Sequence, residues 1–252
     1  MAQRVLVTAG ASGIGREIVR AFAAGGAEVF VCDIDEAALD ALARELPGIA
    51  TTRCDVSKRA EVERMVPAAL QSLGGLDVLV NNAGIAGPTV PVEEVPPEEW
   101  DRVVQVNLTA AFDVTRLAIP ALKQSPAGVV IVMSSAAGRF GYPNRVAYAA
   151  TKWGLIGFTK TLAMELGSFG IRANAILPGT VDGDRIRRVF EGRAKLSGRS
   201  VDEVRDASMQ NQSIRALVDP RDIAALAVFL ASDAGKSISG QALGIDNDIQ
   251  RL

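Results

Sequence analysis

The 252-residue chain contains no histidine and only two cysteines. Without histidine, Ser-His-Asp hydrolysis, Cys-His nucleophilic chemistry and His-ligated zinc or iron sites are excluded. Two isolated thiols, Cys32 and Cys54, cannot complete a four-cysteine metal site. With no export pattern at the start of the chain, they read as reduced, buried side chains of a cytoplasmic protein. Charge of one sign is also scarce: 27 basic against 29 acidic residues leave a net charge of −2 at pH 7. Such a balance supplies no field for nucleic acid. No apolar run reaches the ~20 residues that cross a bilayer, so no membrane partner is expected. Acid–base chemistry near neutral pH is thereby left to a perturbed tyrosine, lysine, aspartate or glutamate.

What the sequence does have is an alternation. Apolar, β-branched runs over 4–8, 28–32, 49–54, 76–80, 129–133, 171–177 and 241–245 are separated by helical patterns. Those patterns cover 14–24, 35–46, a stretch ending near 73, 97–107, 109–123, 146–166, 184–210 and 220–232. With 48% hydrophobic and 22% charged residues the chain can fill a large α/β core. The alternation predicts a parallel sheet with right-handed crossovers and helices on both faces. No repeat or linker interrupts it, so residues 1–252 read as one domain. The strandless, arginine-rich stretch 183–213 reads as an insertion covering one end of the sheet.

Directly after the first strand comes Thr8-Ala9-Gly10-Ala11-Ser12-Gly13-Ile14-Gly15. Glycines at 10, 13 and 15 permit a tight turn, close approach of backbone to a phosphate, and close packing of the next helix. A pyrophosphate would sit on the amino end of that helix. Eighteen residues beyond Gly15, Asp33 ends the second strand, where a carboxylate accepts hydrogen bonds from ribose hydroxyls and repels a 2′-phosphate. Neither Ser12 nor Ile34 supplies a cation to neutralise that phosphate, so NAD is favoured over NADP.

The second constellation is Tyr148 and Lys152. Four residues apart on a helix, they share a face, and Ser135 follows the strand 129–133. In isolation such a pair is an ordinary amphipathic one with a snorkelling lysine. With a hydroxyl at a strand end and a dinucleotide turn in the same chain, it reads as a proton-transfer site. A free phenol titrates near ~10, and a nearby ammonium favours its phenolate form.

Together the glycine turn, Asp55-Val56, Asn82-Ala83-Gly84, Asn107, Ser135, the Tyr148/Lys152 pair and Pro178-Gly179 resemble the short-chain dehydrogenase/reductase superfamily over essentially the whole chain. The resemblance implies a single-domain Rossmann fold: a doubly wound, mostly parallel seven-stranded sheet. It implies NAD contacts from Gly10, Ser12, Gly13, Ile14, Asp33, Asp55, Val56, Asn82, Ala83, Gly84, Tyr148, Lys152, Pro178, Gly179, Thr180 and Val181. By the same resemblance Tyr148 is the acid–base, Ser135 holds the substrate oxygen and Lys152 binds the nicotinamide ribose and tunes the tyrosine. Asn107 would hold a water linking Lys152 to solvent. A dimer or tetramer through the helices near 109–123 and 146–166 is implied as well. The chain departs from the family at Ala9, where glycine is usual, at Gly183, where many members carry threonine, and at Asp246-Asn247-Asp248 in place of an Asp-Gly-Gly ending.

The expected activity is therefore NAD-dependent interconversion of a secondary alcohol and a ketone on a small metabolite. The basic stretch Arg185, Arg187, Arg188, Arg193, Lys195 and Arg199 reads first as a solvated helical face and second as a lid that attracts an anionic substrate. Arg139 and Arg145 are candidates for the mouth of the site. Two other readings compete: reduction of a 3-oxoacyl thioester, and a catalytically retired NAD-binding sensor.

Overall fold

The computed structural model describes residues 2–251. Seven strands form one parallel sheet: β1 Arg4–Thr8, β2 Glu28–Asp33, β3 Ala50–Arg53, β4 Val78–Asn81, β5 Val129–Met133, β6 Arg172–Pro178 and β7 Ala242–Ile245. Their order is β3-β2-β1-β4-β5-β6-β7. Every pairing is parallel. The helices are α1 Gly13–Ala24, α2 Glu36–Glu45, α3 Arg59–Leu73, α4 Pro97–Val104, α5 Ala110–Leu122, α6 Val146–Leu166, α7 Asp184–Ser197, α8 Val201–Gln210 and α9 Pro220–Ala231.

Continuous apolar strands bury both faces of the sheet, as a parallel sheet requires. Side chains alternate between the faces. Val5, Val7, Val129, Ile131 and Met133 join one core with Ile18, Phe22 and Leu230 of α1 and α9. Leu6, Val130 and Val132 join the other with Val66, Leu122 and Leu162 of α3, α5 and α6. The predicted fold class is thus the observed one.

Two helical patterns resolve differently from expectation. The helices read over 97–107 and 109–123 are one unbroken rod, joined by a π turn over Gln105–Thr109. The pattern read over 184–210 is two helices. Gly198 takes a left-handed φ of 67° after α7, and a capping box between Ser200 and Glu203 starts α8. This α7–α8 pair packs its own small apolar cluster of Phe190, Ala194 and Val204.

The strand order reverses between β1 and β4, so the segments that leave their carboxyl ends diverge and open a crevice. Ala9, where the family uses glycine, takes a left-handed φ of 49° at the mouth of that crevice. A non-glycine residue there carries strain. Ala9→Gly should therefore stabilise the protein by about 0.5–1 kcal/mol, because strain relief exceeds the added chain entropy. Urea unfolding checks this, and an unchanged or lower midpoint would show that the turn is unstrained.

Candidate active site

Because the sheet is wholly parallel, all the predicted site residues that follow strands reach the same edge. Gly10 follows β1, Asp33 ends β2, Asp55 and Val56 follow β3, and Asn82, Ala83 and Gly84 follow β4. Ser135 follows β5, and Pro178 through Val181 leave β6.

The glycine turn is closed by its neighbours. A Cβ at Gly15 would stand 2.2 Å from the Ala9 carbonyl oxygen and 2.5 Å from Asn82 Nδ2, so only glycine fits there. Gly13, by contrast, takes a φ of +51° with nothing within 4 Å of a Cβ. Ser12 and Gly13 are exposed at the amino end of α1, and the first turn of that helix carries no acidic side chain. Open space, free N–H groups and an uncompensated dipole make a cradle that fits a pyrophosphate. Asn82 donates from Nδ2 to the carbonyls of Thr8 (3.1 Å) and Ala9 (2.8 Å), bracing the turn from the β4 side.

Asp33 is held from both sides. Its Oδ2 accepts from Ala11 N at 3.0 Å and its Oδ1 from Asp35 N at 3.1 Å, which leaves lone pairs for hydroxyl donors. The cation nearest in register, Arg53 opposite Asp33 on β3, is paired with Glu61 at 3.3 Å. Asp55 closes its own turn by accepting from Ser57 N (3.1 Å) and Ser57 Oγ (2.6 Å). Val56 and Ala83 line a small cavity with Thr8 and Asn81. The two thiols are adjacent in the core. Hydrogen bonding to Cys54, with burial, pushes the Cys32 thiol well above its ordinary value.

The residues predicted to transfer a proton come from three parts of the fold. Tyr148 and Lys152 share a face of α6, with Lys152 Nζ 5.6 Å from the tyrosine ring centroid. Lys152 is almost fully buried and donates to the Met133 carbonyl at the end of β5, at 2.7 Å. Asn107 sits in the π turn. It donates to Ile85 O (3.0 Å) and Thr151 Oγ1 (3.1 Å) and accepts from Ile85 N (2.7 Å), clamping the segment after β4 to α6. Gly84 lies between these groups, since a Cβ there would be 3.4 Å from both Asn107 Oδ1 and Lys152 Nζ. Ser135 caps a short turn, its Oγ accepting from Ala137 N at 3.2 Å. The hydroxyls of Tyr148 and Ser135 donate to no acceptor among the described residues.

Several contributors were not singled out from the sequence. Ser134, beside Ser135, donates to the Lys152 carbonyl at 2.7 Å and fastens β5 to α6. Thr151 donates to the Tyr148 carbonyl at 2.8 Å while accepting from Asn107. Their spacing, next to Ser135 and three residues past Tyr148, is the signal that would have found them. Tyr142, 6.3 Å from the Tyr148 ring in an edge-on arrangement, gave no signal.

The basic stretch divides. Arg185 donates to the Gly84 carbonyl at 2.7 Å, and Arg193 lies 4.9 Å from the Tyr142 ring. Arg187, Arg188, Lys195 and Arg199 stay exposed. Arg139 is taken by Asp246 at 3.1 Å, which fixes the departing C-terminal segment against Gly179. Thr180 Oγ1 lies 3.2 Å from the Gln212 amide, and Val181 bridges to Val218, so the segment after β6 is stitched to the stretch that follows α8.

Burial, reinforced by the charge of Arg185, pushes the Lys152 ammonium down to about 7. The unfolded chain keeps that proton up to about pH 10 and the folded chain only to about 7, so stability rises with pH across this interval. Without cofactor, wild type should gain more than about 1 kcal/mol relative to Lys152→Met between pH 7 and 10, the equivalent of one pKa unit. Chemical denaturation at several pH values checks it, and parallel curves would show an unperturbed ammonium.

The chain is similar to known proteins along nearly its whole length. A family model described as enoyl-(acyl carrier protein) reductase matches residues 8–247. A D-beta-hydroxybutyrate dehydrogenase from Cupriavidus necator is 39% identical, covering 96% of this chain and 95% of that protein. A 3-oxoacyl-[acyl-carrier-protein] reductase from Thermotoga maritima is 35% identical over 97% and 96%. The crystal structure of an actinorhodin polyketide ketoreductase variant with NADPH superposes with a TM-score of 0.94 at 32% identity, covering 100% of this chain and 98% of that one. Fold, site geometry and relatives agree: the chain belongs to the short-chain dehydrogenase/reductase superfamily and is an oxidoreductase of the alcohol–ketone class.

Proposed function

We propose that this enzyme oxidises a secondary alcohol of a small metabolite, or reduces the matching ketone, with NAD as its preferred cofactor. The observation that carries the proposal is the packing of Lys152 near the Tyr148 ring and, with Asn107, against Gly84, while its ammonium holds the Met133 carbonyl two residues before Ser135. The cofactor, when bound, accepts or returns the hydride. The cradle of Gly10, Ser12, Gly13 and Ile14 would hold the pyrophosphate, and Asp33 would accept from the adenosine ribose. Asp55, Val56, Asn82, Ala83 and Gly84 would line the adenine and ribose side, and Pro178, Gly179, Thr180 and Val181 would face the nicotinamide.

The chain's own part is proton transfer and positioning. Ser135 donates its free hydroxyl proton to the substrate oxygen and fixes it against Tyr148. Tyr148, as the base, would take the hydroxyl proton as the hydride leaves the carbinol carbon for the cofactor; reduction runs the same steps backwards. The Lys152 ammonium favours the phenolate by charge, and its backbone is immobilised by Ser134. Asn107 and Thr151 hold the α6 turn that carries both residues.

NAD over NADP is supported by Asp33, by exposed Ile34 beside it, and by the pairing of Arg53 with Glu61. The competing reading, 3-oxoacyl-thioester reduction, draws on the similarity to the Thermotoga enzyme. A retired sensor has no use for the complete Asn107, Ser135, Tyr148 and Lys152 set. Exposed Phe112 of α5 and Trp153 and Met164 of α6 suit a subunit contact in a dimer or tetramer. No helix among the described residues is long and apolar enough to cross a membrane.

Tyr148→Phe should lower kcat by ~10²–10⁴-fold while NADH binding, read by fluorescence titration, stays within about twofold. Undiminished turnover would remove Tyr148 from its role. Separately, Asp33→Ala should cut the NAD-over-NADP ratio in kcat/KM by at least about tenfold, since it removes both the ribose acceptor and the charge facing a 2′-phosphate. An unchanged ratio would place cofactor selection elsewhere.

A further inference from the structure

Arg145, three residues before Tyr148, is 3% exposed, yet no carboxylate among the described residues pairs with it. It donates from Nη2 to Ala86 O at 2.8 Å and from Nη1 to Thr89 Oγ1 at 3.3 Å, and its buried Nε has no partner. A guanidinium offers five N–H groups in a fixed fork, so three remain free. Its Cζ lies 5.3 Å from the ring centroids of both Tyr142 and Tyr148. Burial opposes its charge, the phenol groups of Tyr142 and Tyr148 favour it, and Arg193 and Arg185, of the same sign, oppose it. A buried cation with two more cations nearby and no carboxylate partner is costly, and a ligand anion would offset that cost.

The surroundings define that ligand. Arg193 and Tyr142, though not Arg145 itself, line a cleft under α7 and α8 that is open to solvent, with Ile186, Phe190 and Ile249 as its apolar lining and Thr180, Ser208, Asn211 and Arg251 as its polar lining. Phenyl rings beside the guanidinium leave a planar fork, which matches a planar carboxylate bidentately. A phosphoryl group is instead commonly met by backbone N–H groups at a helix start. The first turn of α7 carries the carboxylate of Asp184, which disfavours a phosphate dianion at that helix start.

Taking Tyr148 as the acid–base, we infer that Arg145, with Arg193 and Arg185 at its rim, anchors a carboxylate of the substrate, which is a small hydroxy acid or its oxo-acid partner. The carboxylate on Arg145 turns the carbinol carbon toward Tyr148 and Ser135, and the remaining carbons enter the apolar side of the cleft. The inference rests on the alcohol–ketone reading of the same site and adds the charge of the substrate.

Ligands matched except for charge test it: 2- and 3-hydroxybutyrate against the corresponding amides, titrated calorimetrically into the NADH-loaded enzyme. At least one acid should bind about tenfold or more tighter than its amide, and Arg145→Gln should close that gap to within about twofold. Arg145→Lys should keep part of the preference, which a purely bracing role toward Ala86 and Thr89 would not distinguish from the glutamine variant. In turnover, the acid-to-amide ratio of kcat/KM should fall about 100-fold in Arg145→Gln, chiefly through KM. Equal binding of acids and amides by wild type overturns the inference, as does an equal loss for both in the variant. If Arg145→Gln fails to fold, Arg193→Gln should still lower the acid-to-amide ratio at least about threefold, and an unchanged ratio counts against the anion site. Stronger competition by inorganic phosphate than by acetate overturns the carboxylate assignment. A charge preference in binding with no turnover of any alcohol strikes the catalytic reading alone; turnover without charge preference strikes this one alone.

Discussion

The site depends on a stitch between two strands that are distant in sequence and adjacent in the sheet. Thr8, the last residue of β1, accepts at its hydroxyl from the backbone N–H of Asn82 (3.0 Å) and Ala83 (3.1 Å), which follow β4. Asn82 returns two hydrogen bonds to the carbonyls of Thr8 and Ala9. These bonds satisfy backbone groups that would otherwise be orphaned where neighbouring strands part company. They also fix the glycine turn against the segment carrying Gly84, and so set the distance between the phosphate cradle and the lysine.

The second half of the site is built by burying polar groups that have nowhere else to go. Lys152 is driven into a position where a backbone carbonyl, rather than a carboxylate, accepts its hydrogen bond. A carboxylate there would offset the charge that the ammonium presents to Tyr148. Asn107 reaches its clamp because the rod from α4 to α5 passes through a π turn, which re-aims one side chain without breaking the helix. Helix geometry, strand end and turn thus act on the same few atoms.

Much of this was legible in the sequence, for physical reasons. Seven strands and their helices follow from apolar periodicity, and their parallel direction places Gly10, Gly84 and Ser135 on one edge. Asp33 at the end of β2 and the Tyr148/Lys152 pair on one helical face are consequences of fixed repeat lengths. What stayed hidden depends on contacts between elements. The π turn leaves no mark in a residue pattern of period 3.6. Arg185 and Arg187 look alike in sequence; only the docking of α7 sends Arg185 to the Gly84 carbonyl and leaves Arg187 in solvent with Asp184. Arg139 and Arg145 were equal candidates, and contacts far along the chain separate them: Asp246 takes Arg139, while no carboxylate among the described residues takes Arg145.

The α7–α8 pair buries its apolar residues in a cluster separate from the two cores that flank the sheet. Lifting this pair would expose a handful of side chains and a few hydrogen bonds, at a free-energy cost well below that of global unfolding. The clamps on the candidate residues after β5 and on α6 come from Ser134, Asn107 and Thr151, none of which lies on α7 or α8, while Arg185 of α7 ties the pair to Gly84. A motion of the pair would leave those three clamps intact, so access to the crevice and the geometry of the site can vary separately.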